Sequence, residues 1–194
     1  MFQNINEATL KLIDNLPNLD NNSWLIVSIS KNGEIVAKQI SKALGIQYQQ
    51  LFIESIFCQK NIDCEIAMVN EFEESFFDEV LKDFFEINDE TLKESVKIMY
   101  QHKLLPKIKK CREELFSIPP NISNILIVDE TIETGLRMEM AIKTFQRFKK
   151  QKIFIAIPIV PKQMISFFKD RVENIFYSEQ TEFYTEIKDY YLEK

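Results

Sequence analysis

Twice in this chain a short run of branched apolar residues ends on polar residues and gives way to helical spacing. "WLIVSIS" (24–30) leads through "KNG" into "EIVAKQISKALG" (34–45). "NILIVDETIETG" (124–135) leads into an apolar-periodic stretch over 136–150. Such runs are too short for core helices and rich in β-branched residues, so they read as buried strands. A buried strand followed by a helix and another strand of the same kind is a βαβ unit, and its strands lie parallel. That repeated unit limits the chain to an α/β fold.

The remaining segments fit this frame. Residues 5–16 show an amphipathic helix with Ala8, Leu10, Leu12 and Ile13 on its apolar side. "IQYQQLFI" (46–53) reads as one strand, and Gly45 caps the helix before it. Residues 54–64 read as loop, 64–74 as a strand, and 75–87 as either a strand entering a short helix or a helix throughout. Asn88 and Asp89 are placed to cap a long helix over 90–116, with Leu92, Val96, Met99 and Leu104 as its stripe. Pro106 is expected to kink or divide that helix. Residues 117–123 read as linker, 151–160 as a strand, 161–170 as a helix and 172–178 as a last strand. The expected architecture is one three-layer α/β/α domain over 1–194. Its central sheet is mainly parallel, and a small irregular insert at about 54–88 sits at one end.

Composition narrows the functional classes. The chain has 194 residues, 45% hydrophobic and 28% charged, enough for a real core. A net charge of −6 argues against a broad nucleic-acid surface. Cys58, Cys64 and Cys111 are odd in number and include no CxxC pair, which argues against a disulfide framework or zinc knuckle. The first residues lack the pattern of a secretory signal, and no apolar stretch approaches membrane-spanning length. A cytoplasmic protein with no membrane or nucleic-acid partner is expected. His102 is the single histidine, so a mechanism needing two imidazoles is excluded.

The chemistry concentrates at 129–137. In an open parallel sheet, ligands bind beyond the carboxyl ends of the strands. Strand 124–129 delivers Asp129 and Glu130 to that edge. The loop Thr131, Ile132, Glu133, Thr134, Gly135 then presents backbone amides at a helix start, a ready anion cradle. Thr134 adds a hydroxyl, and Gly135 lets backbone approach a phosphate without a Cβ in the way. Carboxylates that grip hydroxyls beside amides that grip phosphate suit a sugar phosphate. The plain alternative is a strand-loop-helix junction with solvated acids and a capping threonine.

The segment "ILIVDETIETGLR" resembles the phosphoribosyl-diphosphate (PRPP) signature of type I phosphoribosyltransferases: apolar strand, two acids, three variable residues, then Thr-Gly. The resemblance runs over roughly residues 22–165 in order. It takes in Lys31-Asn32-Gly33 after the first strand, "CEIAMVNE" with Glu65 and Ala67, and the strand "FIAIPIV". It looks most like a bacterial branch of the family. It implies that Asp129 and Glu130 hold ribose hydroxyls near a magnesium ion, and that residues 131–135 wrap the 5′-phosphate. It implies too that Lys31, Asn32 and Gly33 form a turn facing pyrophosphate. Glu133 stands where some members carry a general base. Arg137 replaces a usual hydroxyl residue and remains a phosphate ligand by chemistry, or a side chain that fills the site. Glu54-Ser55 stands where that branch has a basic pair.

The implied function is transfer of a 5-phosphoribosyl group from PRPP to a base-like nitrogen acceptor, with Mg2+ as cofactor and a homodimer as a possible assembly. The alternatives are a PRPP or nucleotide sensor with the same fold and no turnover, and an interaction protein whose pocket has decayed. The Phe pairs at 76–77, 84–85 and 167–168 are expected in the core. "KIKKCR" (107–112) is expected as a solvated helix face, with Lys109, Lys110 or Arg112 reaching a phosphate as the alternative that the resemblance implies. "DYY" (189–191) is expected to pack on its own domain or a partner, with stacking on a base as the rarer outcome.

Overall fold

A computed structural model describes residues 2–112, 114–183 and 189–192. Five parallel strands form the central sheet: β1 (Trp24–Ser28), β2 (Tyr48–Gln50), β6 (Asn124–Val128), β7 (Lys152–Pro161) and β8 (Asn174–Thr181). Their spatial order is β2-β1-β6-β7-β8. The chain therefore runs outward from β1 in one direction and from β6 in the other. The crevice between β1 and β6 is the switch point of the sheet.

Side-chain alternation divides the sheet into two faces. Ile26, Leu126 and Val128 point toward α2 (Lys31–Leu44), where Val36, Ala37 and Ile40 meet them, with Leu12 of α1 (Ile5–Asn15) in the same cluster. Leu25, Val27, Ile125 and Ile127 point the other way, into a cluster with Met138, Met140, Ala141 and Phe145 of α6 (Leu136–Gln146) and Phe168 of α7 (Lys162–Phe168). Each such side chain, fully buried, contributes roughly 1.5–3 kcal/mol. The expected three-layer α/β architecture is what the chain adopts. On α1 the buried residues are Ala8, Thr9 and Leu12, while Leu10 faces outward.

The insert differs from the expectation. Residues 54–64 are not loop. β3 (Ile53–Cys58), β4 (Asn61–Asn70) and β5 (Ser75–Phe77) form a regular antiparallel sheet of their own. The stretch read as one strand over 46–53 is two pieces, β2 in the central sheet and the start of β3 in the second, parted at Leu51 and Phe52. After β5 come α3 (Glu79–Phe84) and α4 (Asp89–Met99), the latter capped by Asn88, whose side chain accepts from the Thr91 amide. The long helix is parted into two α-helical pieces just before Pro106, which stands in the first turn of the second. A π-helical turn at Tyr100–Leu104 precedes it, with the Leu105 amide bonded to the Tyr100 carbonyl, and the helix continues as α5 (Leu105–Cys111). Such a turn shifts the register of the helix where proline supplies no donor. Helical structure stops at Cys111, five residues short of the expected end.

The Phe pairs split. Phe168 is buried beside an exposed Phe167, and Phe84 lies out in solvent. Among the described residues no helix is long and apolar enough to cross a membrane.

Candidate functional site

Two helix starts converge on the switch point. α2 begins directly after β1, and α6 begins after the loop that follows β6. Ser30 is the N-cap of α2: its hydroxyl accepts from the Gly33 amide at 2.9 Å. The Lys31-Asn32-Gly33 segment is thus not a turn but the first turn of a helix, which starts three residues earlier than its spacing suggests. Ser30 also donates to the carboxylate of Asp129 across the crevice.

Asp129 follows the last residue of β6 and is almost enclosed. Its Oδ1 accepts from Ser30 and, at 2.8 Å, from the Glu130 amide. Burial pushes its pKa up to about 6. The bonds from the Ser30 hydroxyl and the Glu130 amide and the charge of Arg137 oppose that rise, and the charge of Glu130 adds to it. Glu130 is also buried, and its Oε2 accepts from Asn32 Nδ2 at 2.6 Å. The two acids are therefore held from the α2 side by Ser30 and Asn32.

Gly33 makes this contact possible. A Cβ on Gly33 would sit 2.9 Å from Asp129 Cα and 2.9 Å from the Val128 carbonyl oxygen, and both are backbone atoms that cannot swing aside. Gly33→Ala is expected to cost about 1–3 kcal/mol and to move α2 off the acidic pair. Urea unfolding gives the cost, and a midpoint equal to that of the wild type would contradict the contact.

The loop after Glu130 leaves several donors unused. The amides of residues 131 through 135 donate to no protein acceptor among the described hydrogen bonds. The Thr131 hydroxyl is buried without a partner. Gly135 adopts φ +83° at the start of α6, a conformation that L side chains rarely take. Thr134 donates to Glu65 of β4 at 3.0 Å, so the second sheet touches the loop directly. These residues, with Ser30, Lys31, Asn32, Glu65, Asp129, Glu130 and Glu133, line a cavity of about 330 Å3.

Arg137 lines the same cavity, but its guanidinium is engaged elsewhere. It donates to the carbonyls of Ile53 (2.9 Å) and Ile29 (3.5 Å) and to the Ser55 hydroxyl (3.2 Å). In this state it ties α6 to β3 and fills the space between β1 and the second sheet. Glu54 pairs with Lys107 at 2.6 Å, so α5 brings a cation to the place where the sequence lacks a basic pair. Arg112 does not lie on a solvated face. It turns inward to Glu71.

The acids suit a hard cation in a limited way. One oxygen of each carboxylate is held by the protein. Among the described residues no group of three or more His, Cys, Asp or Glu is arranged around a metal. Magnesium binds through one or two carboxylates when waters and substrate phosphates supply the rest, and Asp129 with Glu130 fits that mode.

The structure brings together every candidate residue around 129–137 and 31–33. Ser30 and Glu65 join them. Ser30 stands directly before the helical run, with Glu34 in the first turn, a helix-start signal that "KNG" masks.

Fold and site together define a three-layer α/β protein with a small antiparallel sheet beside an acid-lined crevice at the switch point. No family model matches the chain, and no curated protein matches it. Among solved structures, the protein TT1426 from Thermus thermophilus is similar over 99% of this chain and 90% of its own length, with a TM-score of 0.74 and 17% identity. At that identity the likeness shows the fold. More distant are a purine phosphoribosyltransferase from Pyrococcus horikoshii and a hypoxanthine phosphoribosyltransferase from Staphylococcus aureus. The first has a TM-score of 0.45 and 14% identity over 92% of this chain and 83% of that one. The second has a TM-score of 0.46 and 12% identity over 91% and 70%. Likeness at that level assigns no chemistry by itself.

Proposed function

We propose that the cavity binds a ribose carrying a 5′-phosphate, with PRPP as the ligand, and that the protein is a phosphoribosyltransferase acting on a nitrogen acceptor. The observation that carries this reading is the pairing of two buried carboxylates with unpartnered loop amides and an orphaned Thr131 hydroxyl in one cavity. A buried hydroxyl without an acceptor is unfavourable, and a phosphate would satisfy it together with the free loop amides. Asp129 and Glu130 would accept from the ribose hydroxyls, and residues 131–135 would hold the phosphate. Lys31, at the start of α2, would face the pyrophosphate.

In the reaction, a bond forms between the acceptor nitrogen and the anomeric carbon as the bond from that carbon to pyrophosphate breaks. Positive charge develops at the sugar, and Asp129 and Glu130 supply fixed negative charge beside it. The proton lost by the nitrogen needs a base, and Glu133 on the cavity rim is the candidate. Magnesium, when bound, would neutralise the departing pyrophosphate. The second sheet, through Glu65 and Met68, would bound the acceptor side.

One observation favours a second reading, a sensor that binds without turnover. Arg137 is engaged by carbonyls, Asn32 by Glu130 and Lys107 by Glu54, which leaves Lys31, among the described residues, as the cation that lines the cavity without a protein partner. Release of pyrophosphate from PRPP in the presence of a panel of purine and pyrimidine bases separates the two. A transferase releases it with one acceptor, and a sensor binds PRPP and releases none.

A further inference from the structure

Of the described residues that line the cavity, Glu65 and Met68 alone come from the second sheet. Strict alternation would put them on opposite faces of β4. Ala67 and Val69 face α4, where they pack with Leu92 and Val96, while Met68 faces the main core with α6. A β-bulge changes the count. Ile56 pairs with Ala67, but Phe57 pairs with Glu65, so Ile66 is an extra residue in β4. The insertion turns Glu65 away from α4 and onto the face of Met68, where it meets the loop. Bulges that re-aim a side chain are common beside active sites.

In that position Glu65 uses one oxygen. Its Oε2 accepts from the Thr134 hydroxyl at 3.0 Å. Among the described residues its Oε1 has no partner, and no cation pairs with the carboxylate. An ionised carboxylate accepts hydrogen bonds and donates none. The adjoining wall is the buried, apolar Met68. The face that the second sheet turns to the cavity is therefore an apolar surface beside a hydrogen-bond acceptor, with no cation.

We infer that Glu65 determines which acceptor the site takes: its free Oε1 accepts from an amino group on a neutral, planar nitrogen heterocycle that lies against Met68. An oxo group in that place sets two hydrogen-bond acceptors against each other, and a carboxylate sets two negative charges together. Discrimination by such a contact is strong, because the wrong acceptor leaves a desolvated polar group unpaired. The inference rests on the phosphoribosyltransferase reading given above, and it narrows the acceptor from a base-like nitrogen compound to one that bears an amino group. It also gives the bulge a function. Without Ile66 as the extra residue, Glu65 would lie on the α4 face with Ala67 and Val69.

The test measures kcat/KM for pyrophosphate release from PRPP, with magnesium, for pairs of bases that differ by amino against oxo. The pairs are adenine and hypoxanthine, guanine and xanthine, and cytosine and uracil, with orotate as an acidic probe. The wild type is expected to favour the amino member of at least one pair by about tenfold or more and to leave orotate unused. Glu65→Gln keeps an oxygen for Thr134 and adds a donor. It is expected to bring that preference to about twofold or below, with the calorimetric affinity for PRPP and the melting temperature unchanged. A glutamate that only holds the loop through Thr134 shifts PRPP affinity in Glu65→Gln and leaves the ratio intact, and that result overturns the inference. So does a wild type that shows no amino preference in any pair, uses orotate, or binds PRPP and turns over none of the bases. A wild type that binds no PRPP sinks the phosphoribosyltransferase reading itself. Should Glu65→Gln not fold, Glu65→Asp reports instead. It draws the carboxylate back by one methylene, and an unchanged amino preference overturns the inference.

Discussion

Asp129→Asn is expected to stabilise the folded protein at pH 8 while removing ligand binding. The Asp129 carboxyl is buried and its pKa is pushed up to about 6 from the ordinary value of 3.8. Between those values the folded protein holds a proton that the unfolded chain releases. The stability this contributes is fully present below about pH 4 and is lost as pH rises through 6. A rise of about two pH units corresponds to about 3 kcal/mol at neutral pH. Asn keeps an oxygen for the Ser30 hydroxyl and the Glu130 amide and carries no charge, so most of that penalty disappears. Urea unfolding from pH 4.5 to 8 measures it: the wild type loses stability on the way up, and Asp129→Asn loses distinctly less, the rest coming from other buried acids such as Glu71. Parallel curves would mean that Asp129 is not an enclosed, uncompensated acid. A site that keeps a destabilising charge is the signature of a function that needs the charge.

Arg112→Ala is expected to be the most damaging single change away from the site. Glu71 directly follows β4, and its side chain has no exposure to solvent. It accepts from the Phe116 amide at 2.8 Å and the Phe52 amide at 3.3 Å, and it pairs with Arg112. Arg112 also donates to the Gln50 carbonyl at 3.0 Å and lies over the rings of Phe52 and Phe116. This cluster clasps the chain where it leaves β2, where β4 ends and where it returns toward β6. Burial raises the Glu71 pKa, and Arg112 is the chief opposing influence. Without Arg112 an enclosed carboxylate stands unpaired, at a cost of about 3–5 kcal/mol, or a melting temperature lower by roughly 10 °C. The loss should be greatest at neutral pH and partly relieved in acid, where Glu71 takes up a proton. Glu71→Gln keeps the amide bonds and should cost less. A loss under about 1 kcal/mol in Arg112→Ala would show that the clasp is not buried as described.

The central sheet was legible because its strands are apolar on alternate faces and each is followed by helical spacing. Val27 and Ile127 on one face, and Ile26 and Val128 on the other, carry that signal without help from distant residues. Gly45 and Asn88 marked helix ends by their own backbone and side-chain chemistry. The second sheet was not legible. β3 and β4 slip register between Ile56 and Cys58, which breaks the alternation, and their turn at Gln59 and Lys60 has none of the usual turn residues. The start of α2 was hidden because Gly33 resembles a turn glycine. It is a glycine for another reason: β6 passes against it.

The acids and the loop of the site were legible as residue types in order along the chain. What holds them was not. Ser30 and Asn32 reach Asp129 and Glu130 only after β1 and β6 pair. Arg137 shows the same limit. Its charge was evident, but its engagement with the Ile29 and Ile53 carbonyls depends on where β3 lies. The tyrosines of "DYY" pack on their own domain, against a cluster with Phe2 and Ile159 that could not be inferred from local pattern.

Calorimetric titration of the purified protein with PRPP, with and without magnesium, tests the central claim most directly. We predict saturable binding that strengthens with magnesium and disappears in the Asp129→Asn, Glu130→Gln double variant, which should remain folded. Absence of binding under both conditions, in a wild-type protein that melts cooperatively, would contradict the assignment of this cavity to a ribose phosphate.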